Sequence, residues 1–150
     1  MHNVKELLLN ACCEYVQKKQ KTTQERIQSL QKDLLSETKS SAGDKHETGR
    51  AMLHLEIEKA SQQLVSINQM KETLEKMNVS KNSSIASLGN IVETSVGNYF
   101  LSISLGQHKV DDKTYFLVST NSPIGKKLIG KKEGDKLLFN GREIQINFIS

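Results

Sequence analysis

The feature that most limits what this chain can fold into is an uninterrupted run of helix formers. Before residue 80 there is no proline, and only Gly43 and Gly49 break the run. Lys, Glu, Gln, Leu and Ala supply about half of it, and these lose little rotamer freedom in a helix. Apolar or small residues recur at Leu53, Ile57, Ala60, Leu64, Ile67 and Leu74, with Lys71 on the skipped position. Those spacings are a heptad seam. Upstream, the apolar positions are Val4, Leu7 or Leu8, Ala11, Ile27, Leu30 and Leu34, with a polar gap over Lys18–Gln24. Between the two stretches lies Ser40-Ser41-Ala42-Gly43-Asp44, a glycine-bearing turn. The pattern predicts two long helices, about 3–40 and about 45–77, joined as an antiparallel hairpin.

The character of the chain changes near residue 80. Seven of the nine glycines and six of the seven aromatic residues follow it. Apolar and turn residues now alternate as they do in strands. Strands are expected over Asn90–Val96, Tyr99–Leu105, Tyr115–Ser119, Lys136–Phe139 and Glu143–Phe148. Asp111-Asp112-Lys113 is a turn. Asn140-Gly141 between apolar residues is a hairpin signal, because a type I′ turn needs positive φ at both central residues. Ser122-Pro123 opens a short helix, with Ser122 as N-cap and Pro123 at the first helical position, ending at Gly130. The fold class is therefore α+β. A two-helix coiled-coil arm (1–78, tip about 41–48) leads through a polar linker (79–84) to a small domain of four or five strands and one helix (85–150).

Several classes of chemistry are excluded or disfavoured. No apolar run approaches the length of a membrane span, and the charged flanks of Leu7–Leu9 do not suit a secretory signal. Cys12 and Cys13 are neighbours and cannot staple distant segments, which fits a reducing cytoplasm. Histidines and cysteines have no zinc-ligand spacing. The net charge of +4 is modest. It is concentrated in the second half, where Lys126, Lys127, Lys131, Lys132, Lys136 and Arg142 face only Glu133 and Asp135 nearby.

The candidate chemical site is the hairpin tip, Gly43-Asp44-Lys45-His46-Glu47. Two carboxylates three residues apart at a helix start can meet on one side of the turn. The same pattern is a capping box, with acids favoured at the positive end of the helix dipole. Two carboxylates hold Mg²⁺ weakly, since the ion takes about six oxygens. Acids at the end of a narrow arm can instead complete a site whose other ligands belong to a partner.

Two segments carry a resemblance to a known family. Asn121-Ser122-Pro123-Ile124-Gly125-Lys126-Lys127-Leu128-Ile129-Gly130-Lys131-Lys132-Glu133-Gly134-Asp135 is similar to the signature S-P-x-x-x-x-L-[IL]-G-K-x-x-G-D of the bacterial Gre transcript-cleavage factors, GreA and GreB. The tip resembles that family's G-D-x-x-E pattern, and the layout of a helical hairpin followed by an FKBP-like domain is also similar. The resemblance implies a transcription elongation factor, cytoplasmic and monomeric when free, that binds RNA polymerase near its secondary channel. It is no enzyme itself; it stimulates cleavage of backtracked RNA by the polymerase's own centre. Asp44 and Glu47 would assist there on a Mg²⁺ shared with the polymerase, no cofactor being bound by the free chain. Asn121, Ser122, Pro123, Ile124, Lys126 and Lys127 would contact the polymerase, and Lys45 and Arg50 would lie near the RNA 3′ end. After the tip the chain reads Thr48-Gly49-Arg50-Ala51 where the family usually reads Asn-Ala-Glu-Tyr. A channel-binding regulator without cleavage activity therefore stands as the alternative, with a dimeric coiled-coil adaptor behind it. A prolyl isomerase is disfavoured because Tyr99-Phe100 and Tyr115-Phe116 each split their rings between opposite sheet faces.

Overall fold

The computed structural model describes residues 3–39 and 44–150, without the side chains at 38, 39 and 44–46. It contains the helices α1 (Val4–Lys39), α2 (Asp44–Lys76) and α3 (Pro123–Leu128). The strands are β1 (Ile91–Thr94), β2 (Gly97–Ser102), β3 (Gly106–Val110), β4 (Lys113–Ser119), β5 (Lys136–Phe139) and β6 (Arg142–Ile149). Two long helices precede a small mixed-sheet domain, as the composition break requires. By compactness the chain divides into Glu14–Lys71 and a second unit of Met1–Cys13 with Glu72–Ser150. The bases of both long helices thus belong with the sheet.

Within Glu14–Lys71 the seam is the one the heptads indicate. Ala60 and Ile67 are buried, and Leu53, Ile57 and Leu64 are half-buried. Opposite them, Val16 is buried and Ile27, Leu30 and Leu34 are half-buried. The polar gap is bridged rather than empty. Thr23 is buried, Gln20 Nε2 donates to Asn68 Oδ1 at 3.0 Å, and Arg26 pairs with Glu56 at 2.8 Å. A cavity of about 340 Å³ beside Thr23 is lined by Tyr15, Lys19, Ile67 and Met70, with the Lys19 ammonium 5.8 Å from the Tyr15 ring centre. Two helices leave their outer faces in water, so Leu35, Met52, Leu55 and Val65 are exposed.

The second unit is built on one six-stranded sheet of order β3-β4-β2-β1-β6-β5. All neighbours are antiparallel except β2 and β4, which run parallel with Tyr99 beside Phe116 and Leu101 beside Val118. Strand β3 corrects the sequence reading, which gives four or five strands and ends the strand from Tyr99 at Leu105. That strand stops at Ser102, and Gly106–Val110 forms a further one at the sheet edge. Its residues Gln107, His108 and Lys109 lack an apolar alternation because an edge strand buries little. The β3–β4 turn has Asp111 and Asp112 at φ of 48° and 67°, and the β5–β6 turn has Asn140 and Gly141 at 52° and 76°. Both are the left-handed pairs a type I′ hairpin needs.

The two sheet faces are covered differently. One carries Val92, Leu101, Ile144 and Ile146, which pack with Leu128 of α3 and with Leu137 and Ala86. The other carries the buried Ile91, Phe100, Tyr115 and Leu117. The base of α1 lies on this face, with Leu8 and Cys12 fully buried and Cys12 Sγ donating to Ser102 Oγ at 3.9 Å. Cys13, the next residue, is exposed. Lys5 ties the linker down: its Nζ donates to Lys81 O and to Asn82 Oδ1, each at 3.3 Å.

Candidate functional site

The two regions singled out in the sequence fall in different compact units. At the tip, α2 begins at Asp44. The side chains of Asp44, Lys45 and His46, and all of residues 40–43, lie outside the described residues. Both the capping and the metal-holding readings of Asp44 therefore fall outside them. Glu47 is exposed one turn into α2, and Arg50 is half-buried. Gly49 faces α1: a β-carbon there would stand 3.5 Å from the Glu37 carboxyl, an ordinary contact.

The 121–135 segment is described in full, and most of its signature residues prove to be architectural. Ser122 caps α3 with φ −69° and ψ 158°. Its Oγ accepts from Gly125 N at 3.1 Å and donates to Ser119 O at 2.6 Å. Gly125 is required by space, since a β-carbon would lie 1.9 Å from Ser119 O. Leu128 is fully buried and Ile124 packs against the same core. Gly130 and Gly134 adopt φ of 82° and 87°. Gly130 N donates to Ala86 O at 2.8 Å, which pins the chain just beyond the linker. Asp135 Oδ2 accepts from Lys132 N at 2.8 Å and closes the next turn. Sequence reasoning takes Ile124 for a contact residue; it is half-buried against the core.

What remains outward is a small set. Asn121, Pro123, Lys126 and Lys127 line one open cavity of about 550 Å³, together with Leu138, Phe139, Asn140 and Gly141 from the β5–β6 hairpin. Leu138 is 64% exposed, the most exposed large apolar residue of the chain's described residues. The hairpin half of this surface is missed by the sequence reading, because only the fold brings residues 138–141 to α3. The apolar Leu138, two residues before Asn140-Gly141, is the signal that was available.

A second cavity, of about 360 Å³, adjoins it across Phe139 and Asn140. Tyr99 and Phe116 form one wall, their ring centres 5.5 Å apart and tilted by 32°. Val96, Ile144 and Arg142 complete it. The parallel register sets Tyr99 beside Phe116 on one face. Gly97 leaves room for the Phe116 ring, since a β-carbon there would meet it at 3.0 Å. Burial raises the Tyr99 hydroxyl above its ordinary value, and the nearby Arg142 charge opposes that rise.

No protein-family model matches this chain, and no curated protein matches it. Among solved structures, it is similar to the crystal structure of GreA factor homolog 1 (Gfh1) of Thermus thermophilus. The two are 21% identical over 91% of this chain and 93% of that one, with a TM-score of 0.35. No helix among the described residues is long and apolar enough to cross a membrane.

Proposed function

We propose that this chain is a Gre-like accessory factor of RNA polymerase, which stimulates hydrolysis of backtracked RNA by the polymerase's own active centre. The observation that carries the reading is the Ser122–Asp135 segment. Its Gre-like residues make a capped turn that presents Asn121, Pro123, Lys126 and Lys127 together on one surface. That surface is the docking site, and its lysines suit an acidic protein face. The acids Asp44 and Glu47 sit in the first turn of α2.

The catalytic contribution is one of delivery. Among the described residues no three metal-ligating side chains come together. Two carboxylates leave most of the coordination shell of Mg²⁺ unfilled, so further ligands come from the polymerase. Asp44 and Glu47 are the residues that would hold the shared ion, which supplies orientation and activation of water when bound. Lys45, between them in sequence, and Arg50, three residues beyond Glu47, would place positive charge beside the RNA phosphate.

The test is transcript cleavage in a stalled, backtracked elongation complex. Release of short 3′ fragments by the wild type, lost in Asp44→Ala/Glu47→Ala with binding retained, supports the reading. Binding without cleavage in the wild type makes the chain a regulator that occupies the channel. Lys126→Glu/Lys127→Glu should abolish binding; failure of the wild type to bind removes both readings.

A further inference from the structure

At heptad spacing, Val16, Thr23 and Leu30 of α1 face the seam, so a threonine stands where a large apolar side chain would close the contact with α2. The room it leaves is the cavity of about 340 Å³ on the arm. Tyr15, Ile67 and Met70 give this cavity an apolar wall, and Thr22, Gln63 and Ser66 bring it hydroxyls and an amide. Thr23 is only 7% exposed, and its hydroxyl has no hydrogen-bond partner among the described residues. No fully buried side-chain oxygen or nitrogen among those residues lacks a partner, so this hydroxyl is open to the cavity it lines. Lys19 and Arg26 also line the cavity, and no aspartate or glutamate does. Arg26 is held by Glu56. Lys19 has no carboxylate partner among the described residues, and its ammonium stands 5.8 Å from the centre of the Tyr15 ring.

We propose that this cavity binds a small amphipathic anion, with a flat apolar body and one phosphate or carboxylate head. The Gln20–Asn68 and Arg26–Glu56 bonds show α1 and α2 running in opposite directions. Tyr15 therefore shares one end of the cavity with Met70. Arg26 shares the other with Gln63, about 16 Å away along α1. The body lies against Tyr15, Ile67 and Met70. The head meets the Lys19 ammonium and accepts a hydrogen bond from the Thr23 hydroxyl. A buried hydroxyl without a partner carries an uncompensated desolvation cost, and a ligand oxygen removes it. The volume lies at the low end of ligand pockets, which span about 300–1,000 Å³, and suits a pair of fused rings rather than a peptide segment. Glu14 and Glu25 interrupt the positive charge along α1 that a nucleic-acid backbone needs. The site lies wholly within Glu14–Lys71 and rests on no reading of the polymerase surface.

The experiment is a titration of the full chain with 1-naphthyl phosphate, followed by amide and methyl NMR. A parallel titration with 1-naphthoate tells which head is preferred. The controls, 1-naphthol and inorganic phosphate, each lack one half of the ligand. Saturable shifts at Thr23, Ile67 and Met70 are expected with at least one of the two anions, and binding at least about tenfold weaker for either control. Thr23→Val keeps the shape of the side chain and removes the hydroxyl, and Lys19→Gln removes the charge; each should weaken binding about threefold to tenfold. Lys32→Gln, at an exposed residue of α1 outside the cavity, should leave it unchanged. Thr23→Leu should abolish binding while helix content is kept, which separates a filled site from an unfolded arm. Four results would overturn the proposal: either control binding as tightly as the whole ligand, no saturable shift at millimolar ligand, undiminished binding in both Thr23→Val and Lys19→Gln, or the same shifts appearing with protein concentration alone, which would place a second copy of the chain in the cavity.

Discussion

At Gly125 a single hydrogen decides whether α3 can sit on the end of β4. A methyl group there would overlap Ser119 O at 1.9 Å, and the obstacle is backbone, which cannot swing aside. Gly125→Ala should therefore cost about 3 kcal/mol or more in chemical denaturation, at the severe end of overpacking effects. Ser122→Ala removes a cap and a bond to Ser119 O, and should cost about 1–2 kcal/mol. The cysteine pair makes a second residue-scale prediction. Burial pushes the Cys12 thiol up to about 11 from 9.0, the Ser102 hydrogen bond pulling against it and the Cys13 charge adding to it. The folded chain thus keeps a proton that the unfolded chain loses first. The stability this brings is complete below pH 9, and is lost as pH rises through about 11. Cys12→Ala should flatten that alkaline slope in a denaturation series. Under native conditions a thiol reagent should modify Cys13 alone. The cap, the Asn-Gly turn and the opposed cysteines were legible in the sequence because each is local. The reason for Gly125 was not, since its obstacle is a carbonyl on another element.

At the scale of elements, the heptad spacing in α2 foretold which side chains are shielded, and Lys71 is exposed where the seam skips it. The same logic failed over the polar gap of α1. There Thr23 is buried beside a cavity, a packing that no hydrophobic pattern announces. Thr23→Leu should fill part of that space and stabilise the arm by about 1 kcal/mol, read as a rise in helix melting temperature. Gly49→Ala should raise helix content near the tip. The added methyl meets Glu37 only at ordinary contact distance, and the propensity gain is up to about 1 kcal/mol. If the chain stimulates transcript cleavage as proposed, loss of that activity in this variant with polymerase binding kept would show that the tip depends on glycine's freedom. Edge strand β3 escaped the sequence reading for a different reason: its residues are chosen for water, so they carry no period to find. The aromatic hollow escaped because Tyr99, Phe116 and Phe139 come from three strands, and only the parallel β2–β4 register sets the first two side by side.

At the scale of the whole molecule, composition and compactness mark different boundaries. Composition changes near residue 80, where helix formers give way to strand formers. Compactness groups Met1–Cys13 and Glu72–Ser150 together, because Leu8 and Cys12 are buried with the sheet and Lys5 holds the linker. A sequence shows which element a residue prefers, whereas the unit it belongs to follows from what that element covers. The consequence is an asymmetry between two shortened chains. A fragment of residues 85–150 loses the base of α1 and leaves Phe100 and Ser102 without their cover. Each buried apolar side chain returned to water costs about 1.5–3 kcal/mol, so this fragment should melt far below the intact chain or aggregate. A chain with residues 14–71 replaced by a short glycine-rich turn keeps Leu8, Cys12 and Leu74. It should give a dispersed amide spectrum and a cooperative melt. If residues 85–150 alone fold as stably as that internal deletion, the helix bases contribute nothing to the sheet, and the boundary belongs at the change in composition.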